Sequence, residues 1–186
     1  PTVHTKYGES TALLTGDVML ITAYEYLNKI TPASQPKILT LFNRTAKEVC
    51  EGQQIDMEFE KLSFDHISME AYLQMITLKT SVLLAASLKM GAILGGAGEG
   101  NAGHLYDFGK NLGIAFQIQD DLLDAFGDPE KFGKQKGGDI MAGKKTFLLL
   151  KAYELCDDAQ RQQLLSIINS NAPDKVEKTL DIFRRC

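Results

Sequence analysis

A chain of 186 residues, 44% hydrophobic and 24% charged, has the bulk for a single domain with a sizeable core. Its net charge of -4, a pI near 5.4 and the lack of any basic stripe exclude a nucleic-acid binder. Three widely spaced cysteines (Cys50, Cys156 and Cys186) form no CxxC pair, and with no leader segment to read they are expected to be reduced thiols of a cytoplasmic protein.

The chain opens on Pro1 rather than Met, which suggests that it continues upstream. Apolar residues then recur at helical spacing from about Ser10 to Ile30, through Leu13, Leu14, Val18, Ile21, Tyr24 and Leu27. Thr31-Pro32 stops this run, because a residue before proline is pushed out of helical geometry. Ser34 can cap a second helix, with Pro36 tolerated in its first turn, that carries Ile38, Leu41, Phe42, Thr45 and Val49 to about Leu62. Ser68, Glu70 and an Ile67–Tyr72 staple start a third, which runs to Leu94 and stops at Gly95-Gly96. Its apolar stretch, Val82 to Gly98, is broken by Ser87, Lys89 and glycines. A core helix is therefore expected there, and no membrane span, which needs roughly 20 mostly apolar residues.

A fourth helix spans about Ala102–Phe126, ending at Gly127 with Pro129 beyond, and a glycine-rich polar loop follows from Asp128 to Gly143. Shorter helices close the chain at about Lys145–Leu155, at Asp158–Asn169 behind an Asp157/Gln160 box, and at Pro173–Arg184. No stretch alternates as a strand would, so residues 1–186 read as one all-α domain.

Four places break the rules that a plain helical bundle would follow. The fourth helix ends in Gln117-Ile118-Gln119-Asp120-Asp121-Leu122-Leu123-Asp124, with three carboxylates at the negative end of its dipole. Each such charge costs about 0.3–1 kcal/mol. Asp120 and Asp124 share a face, with Asp121 about 100° round. Taken alone, the motif fits a solvated acidic end as well as a site for a hard cation such as magnesium, which takes one or two carboxylates and completes its shell with water and phosphate oxygens. The loop that follows sets Lys134, Lys136, Asp139, Lys144 and Lys145 among glycines, a composition that suits a diphosphate cradle or a flexible linker. Lys79-Thr80 lies in a helix apolar nearly all round, where a lysine must snorkel or meet an anion. In Gly52-Gln53-Gln54-Ile55-Asp56, Gln53 and Asp56 share one helical face. His4, His66 and His104 have no metal-ligand spacing.

In order and spacing, Gly52-Gln53…Asp56, Lys79-Thr80, Phe116-Gln117…Asp120-Asp121-x-x-Asp124 and Gly133-Lys134…Gly138-Asp139…Lys144 resemble the trans-prenyltransferases, the polyprenyl synthetase family. The resemblance implies an all-helical bundle around a central cavity, usually a homodimer. It implies an enzyme that condenses isopentenyl diphosphate with an allylic diphosphate by ionisation, condensation and elimination, using Mg2+ or Mn2+. Asp120, Asp121 and Asp124 match the second aspartate-rich motif. Lys79, Lys134 and Lys144 match lysines that hold the allylic diphosphate, and Thr80 and Gln117 match polar groups facing its C1 region. Gln53 and Asp56 match a supporting pair, with Gln53 also placed at the diphosphate. Asp139 matches a loop carboxylate near the metal, and Phe116 opens the Phe116-Gln117 motif. The family's first aspartate-rich motif falls upstream of Pro1, so roughly the first third of a typical member lies outside this sequence, which by itself is expected to catalyse little. Leu83 stands where the family often has an aromatic residue. A class I terpenoid cyclase and a non-catalytic subunit of a heteromeric synthase are the rival readings.

Overall fold

The computed structural model describes residues 2–63, 66–133, 136–170 and 172–186. Among them the chain is helical throughout, with no strand. A short α1 (Val3–Tyr7) turns at Gly8 into α2 (Glu9–Leu27), and α3 (Gln35–Lys61) follows. The central rod consists of α4 (Met69–Ile76), a π-helical turn (Thr77–Ser81) and α5 (Val82–Leu94). Next come α6 (Glu99–Phe126), α7 (Pro129–Phe132), α8 (Gly138–Ala142), α9 (Phe147–Leu155), α10 (Asp158–Ile168) and α11 (Lys175–Arg185).

Local chemistry sets most of these boundaries. The Ser68 hydroxyl accepts the Ala71 amide at 3.1 Å to cap α4, and Asp157 and Gln160 complete a reciprocal capping box on α10. At the end of α5, Gly96 takes a positive φ of 81°. This lets the Gly96 and Ala97 amides bond back to the carbonyls of Ile93 and Ala92, closing a Schellman turn. Two expectations shift. Ser34 precedes α3 without a side-chain cap bond, and α6 starts three residues early, behind Gly98. The loop from Asp128 to Gly143 contains two short helices, α7 and α8.

The rod packs between α3 and α6. Below it, Tyr72, Met75 and Ile76 meet Leu149 and Leu150 of α9, Leu164 and Ile168 of α10, and Leu180 and Ile182 of α11 in one apolar cluster. At about 25 cal/mol per Å² of apolar surface removed from water, this cluster is the main source of stability. By length and composition Met69–Leu94 could cross a membrane, a test that the central helix of a bundle also passes. The expected core helix is only partly enclosed, since Leu83 and Leu94 are exposed. Helix α2 buries only Leu27 and leaves Leu13, Leu14, Val18, Met19 and Ile21 open. Tyr24 pins it to α3 by donating to Asn43 Oδ1 at 2.5 Å and packing edge-on against Phe42.

The cysteines correct the sequence reading. Cys156, at the end of α9, and Cys186 form a disulfide with their Cα atoms 5.8 Å apart, leaving Cys50 as the free thiol. Spacing could not reveal this pair, because helices α10 and α11 lie between the two residues and fold them together. Closing a 30-residue loop should contribute about 2–4 kcal/mol. Cys156→Ser is therefore expected to lower the urea midpoint by the corresponding amount. An unchanged midpoint would show that the bridge adds nothing in solution.

Candidate active site

Across a cavity of about 240 Å³, the acidic end of α6 faces the middle of the central rod. Helix α3 supplies Asp56, and the rod supplies Tyr72, Met75, Ile76 and Lys79. Gln117, Asp120, Asp121 and Asp124 come from α6, Asp139 from α8, and Lys144, Lys145 and Thr146 from the segment before α9.

The π turn arranges the rod's polar residues. Lys79 reaches toward α3, where its Nζ donates to Asp56 Oδ2 at 2.6 Å. Thr80, its neighbour, reaches toward α6 and donates to Gln117 Oε1 at 3.3 Å. Lysine thus meets an anion, as its apolar surroundings require. An ion pair that is about a third exposed adds little stability, about 0–1 kcal/mol. What the contact does is hold an ammonium at the cavity wall.

The three aspartates separate into two kinds. Asp121 is buried and its oxygens are engaged: Oδ2 accepts from Tyr72 Oη at 2.6 Å and from the Phe147 amide at 2.8 Å, and Oδ1 accepts from Gln117 Nε2 at 3.2 Å. Burial pushes its carboxyl above the usual carboxylate range, while these hydrogen bonds oppose the rise. Burial, followed by the adjacent Asp121 charge, pushes the Tyr72 phenol far above its ordinary value, so it remains a donor. These hydrogen bonds make Asp121 a tie between α4, α6 and α9. Asp120 and Asp124, one turn apart, share the face that lines the cavity.

Asp124 also fixes the loop. Its Oδ2 accepts the Asp139 amide at 3.1 Å, and its backbone carbonyl accepts from Gly137 at 2.8 Å. Burial first, and then the Asp139 charge, raises its carboxyl above the usual range. Asp139 pairs with Lys144 at 2.7 Å, and this partner holds the Lys144 ammonium above its ordinary value. Lys145 donates to the Glu60 carbonyl at 3.1 Å, and burial draws its ammonium down.

Among the described residues no three His, Cys, Asp or Glu side chains converge into a ready-made metal cage. The donor set instead suits a hard divalent ion held by one or two carboxylates and completed by water and phosphate. Asp120 and Asp124 supply such carboxylates at the cavity wall.

The cavity thus brings together Asp56, Lys79, Gln117, Asp120, Asp121, Asp124, Asp139 and Lys144, with Thr80 hydrogen-bonded to it through Gln117. Gln53 and Phe116 are exposed and are not among the residues that line it. Lys134 lies outside the described residues. Tyr72 and Thr146 were not expected, and Lys145 was read only as part of the lysine loop. Tyr72 carried a usable signal, since a phenol on a core-facing helix needs a partner when buried.

An all-α bundle with a cavity walled by carboxylates and lysines is what fold and site define. The profile of the Polyprenyl synthetase family matches residues 1–184, and the chain belongs to this family. It is 39% identical to a short chain isoprenyl diphosphate synthase of Methanocaldococcus jannaschii, over 99% of this chain and 56% of the relative. A geranylgeranyl pyrophosphate synthetase from Pyrococcus horikoshii Ot3 superposes with a TM-score of 0.92 at 37% identity, covering 100% of this chain and 57% of its own. A geranylgeranyl pyrophosphate synthase from Corynebacterium glutamicum, solved with isoprenyl diphosphate and magnesium, gives 0.83 at 29% identity, covering 97% of this chain and 52% of its own. The chain therefore spans little more than half the length of the relatives it matches.

Removing the Tyr72 hydroxyl leaves a buried carboxylate short of one donor. Tyr72→Phe is expected to cost about 1.5–3 kcal/mol, the usual range for a hydrogen bond to a charged group. Urea denaturation measures it, and a loss below a few tenths of a kcal/mol would contradict the role given to Asp121.

Proposed function

We propose that this chain forms the diphosphate-ionising part of a prenyl diphosphate synthase, which joins isopentenyl diphosphate to an allylic diphosphate. The observation that carries the reading is the facing of the Asp120/Asp124 pair on α6 by Lys79 and Lys144 across a single small cavity. Carboxylates without such cations would suit a metal but repel a diphosphate, and lysines alone would bind the anion without helping it leave.

When bound, Mg2+ would neutralise the charge that develops on the departing diphosphate. Asp120 and Asp124 would hold it, with Mn2+ as an alternative ion. Lys79 and Lys144 supply fixed positive charge to the same leaving group. They act in a partly desolvated cavity, where each interaction counts for more than in water. Lys134 joins them on the family's pattern. Gln117 Oε1 and Thr80 Oγ1 turn oxygen dipoles toward the carbon that becomes cationic. Asp56 and Asp139 keep Lys79 and Lys144 extended until substrate arrives, and Asp121 positions Gln117 through its amide.

Beyond Asp120 the α6 surface turns apolar, with Leu105, Phe108, Leu112 and Phe116 exposed along one flank. This stripe suits the hydrocarbon tail of a growing isoprenoid and gives Phe116 a role outside the polar cavity. The open face of α2 suits coverage by the remainder of a full-length protein and by a second copy in a homodimer. Against a cyclase, the combination of Gln53-Asp56, Lys79-Thr80 and the lysine loop favours chain elongation. A non-catalytic subunit would have no use for the intact Asp120/Asp124 face.

The test is elongation by the full-length protein that carries this chain, given isopentenyl diphosphate and allylic primers of increasing length. Longer prenyl diphosphates that disappear with EDTA are expected. Asp120→Ala is expected to lower kcat by about 10²–10³-fold, the scale of removing one group that stabilises transition-state charge. Folded protein that extends no primer would overturn the proposal.

A further inference from the structure

The side chains at the π turn are aimed by the backbone of that turn, and its neighbours approach it without side chains of their own. On α3, a Cβ at Gly52 would sit 2.2 Å from the Lys79 nitrogen and 2.7 Å from its Cα. On α6, a Cβ at Gly113 would lie 2.6 Å from the Cα of Ser81 and 2.9 Å from its Oγ. In both approaches the nearest atom belongs to the backbone of the turn, so rotating a side chain cannot relieve the contact. Ser81 is fully buried between them, and its hydroxyl points at the Ile76 carbonyl, 3.5 Å away, at the start of the widened turn.

We propose that Gly52 and Gly113 are positioning residues, a two-sided clamp that holds the π turn and thereby aims Lys79 at Asp56 and Thr80 at Gln117. The two jaws act on different functions. Gly52 touches Lys79 itself, so it governs the ammonium that meets the diphosphate. Gly113 touches Ser81, next to Thr80, and lies one helical turn before Gln117 on α6, so it governs the oxygen pair facing the reacting carbon. A third close approach serves as an internal control. A Cβ at Gly109 would lie 2.8 Å from the Ala85 Cα, one turn further along the same helix pair, away from the π turn.

The proposal rests on the synthase reading for its kinetic consequences and on packing alone for its structural ones. The experiment compares Gly52→Ala, Gly113→Ala and Gly109→Ala in the full-length protein. It combines steady-state kinetics with amide hydrogen exchange of the 76–82 segment, at a temperature where all three remain folded.

Gly113→Ala is expected to lower kcat by about 10–100-fold with KM for the allylic diphosphate within about 3-fold, since misplacement by an ångström can cost about 10²-fold. Gly52→Ala is expected to raise that KM by about 10-fold or more, as loss of one aimed charge lowers affinity for the diphosphate. Exchange at 76–82 should accelerate in both. Gly109→Ala should lower Tm while leaving kcat, KM and exchange at 76–82 close to the parent's.

Equal damage from all three alanines, or unchanged protection of 76–82 in Gly52→Ala and Gly113→Ala, would overturn the clamp. A parent protein that elongates nothing would instead overturn the synthase reading, and the exchange pattern would still decide whether the clamp exists.

Discussion

One buried carboxylate organises the site. Asp121 takes a phenol from α4, an amide side chain from α6 and a backbone amide from the start of α9, so three helices converge on a single charge. Leaving such a group unpaired in the interior would cost several kcal/mol. The helices are therefore held in the one arrangement that satisfies it. In that arrangement Tyr72 and Thr146 line the cavity, and Gln117 is turned with its oxygen toward Thr80. The adjacent Asp120 and Asp124 line the same cavity from a neighbouring face of the helix end. Three carboxylates that look alike in the sequence thus differ in setting, Asp121 buried as an internal anchor and Asp120 and Asp124 less enclosed at the cavity wall.

The same division explains why an apparently unfavourable helix end persists. Carboxylates at the C-terminal end of a helix oppose its dipole. Here Asp124 gains compensation by accepting the Asp139 amide, which joins the glycine-rich loop to α6 and brings Lys144 to the rim. The loop is consequently part of the site's wall. Its Lys144 is held in an ion pair with Asp139. Lys79 stands in the same relation to Asp56 on the opposite wall.

Much of this was legible in the sequence. Helical spacing, the Ser68 cap, the Asp157/Gln160 box and the Gly95-Gly96 stop are local signals, and local signals fix helices. The acidic helix end, the buried lysine and the lysine loop stood out because each violates a rule that an ordinary bundle obeys. What remained hidden depends on partners distant in the chain. The π turn has no composition of its own, and its position follows from the close approach of Gly52 and Gly113 to the rod. The pairing of Cys156 with Cys186 depends on how α10 and α11 fold back. The anchoring role of Asp121 depends on Tyr72, 49 residues away. Gln53 and Phe116 show the converse, because sharing a motif with Asp56 and Gln117 does not by itself bring a residue to the cavity wall.

On the proposed reading, one cavity holds both the diphosphate and the ion that helps it depart. A crystal structure of the full-length protein grown with Mg2+ and an unreactive allylic thiodiphosphate would test this. The account predicts a metal about 2.0–2.1 Å from carboxylate oxygens of Asp120 and Asp124, with the diphosphate bridging to Lys79 and Lys144 and Asp121 still bonded to Tyr72. A diphosphate bound elsewhere, or a metal coordinated by Asp121 in place of Asp120 and Asp124, would contradict it.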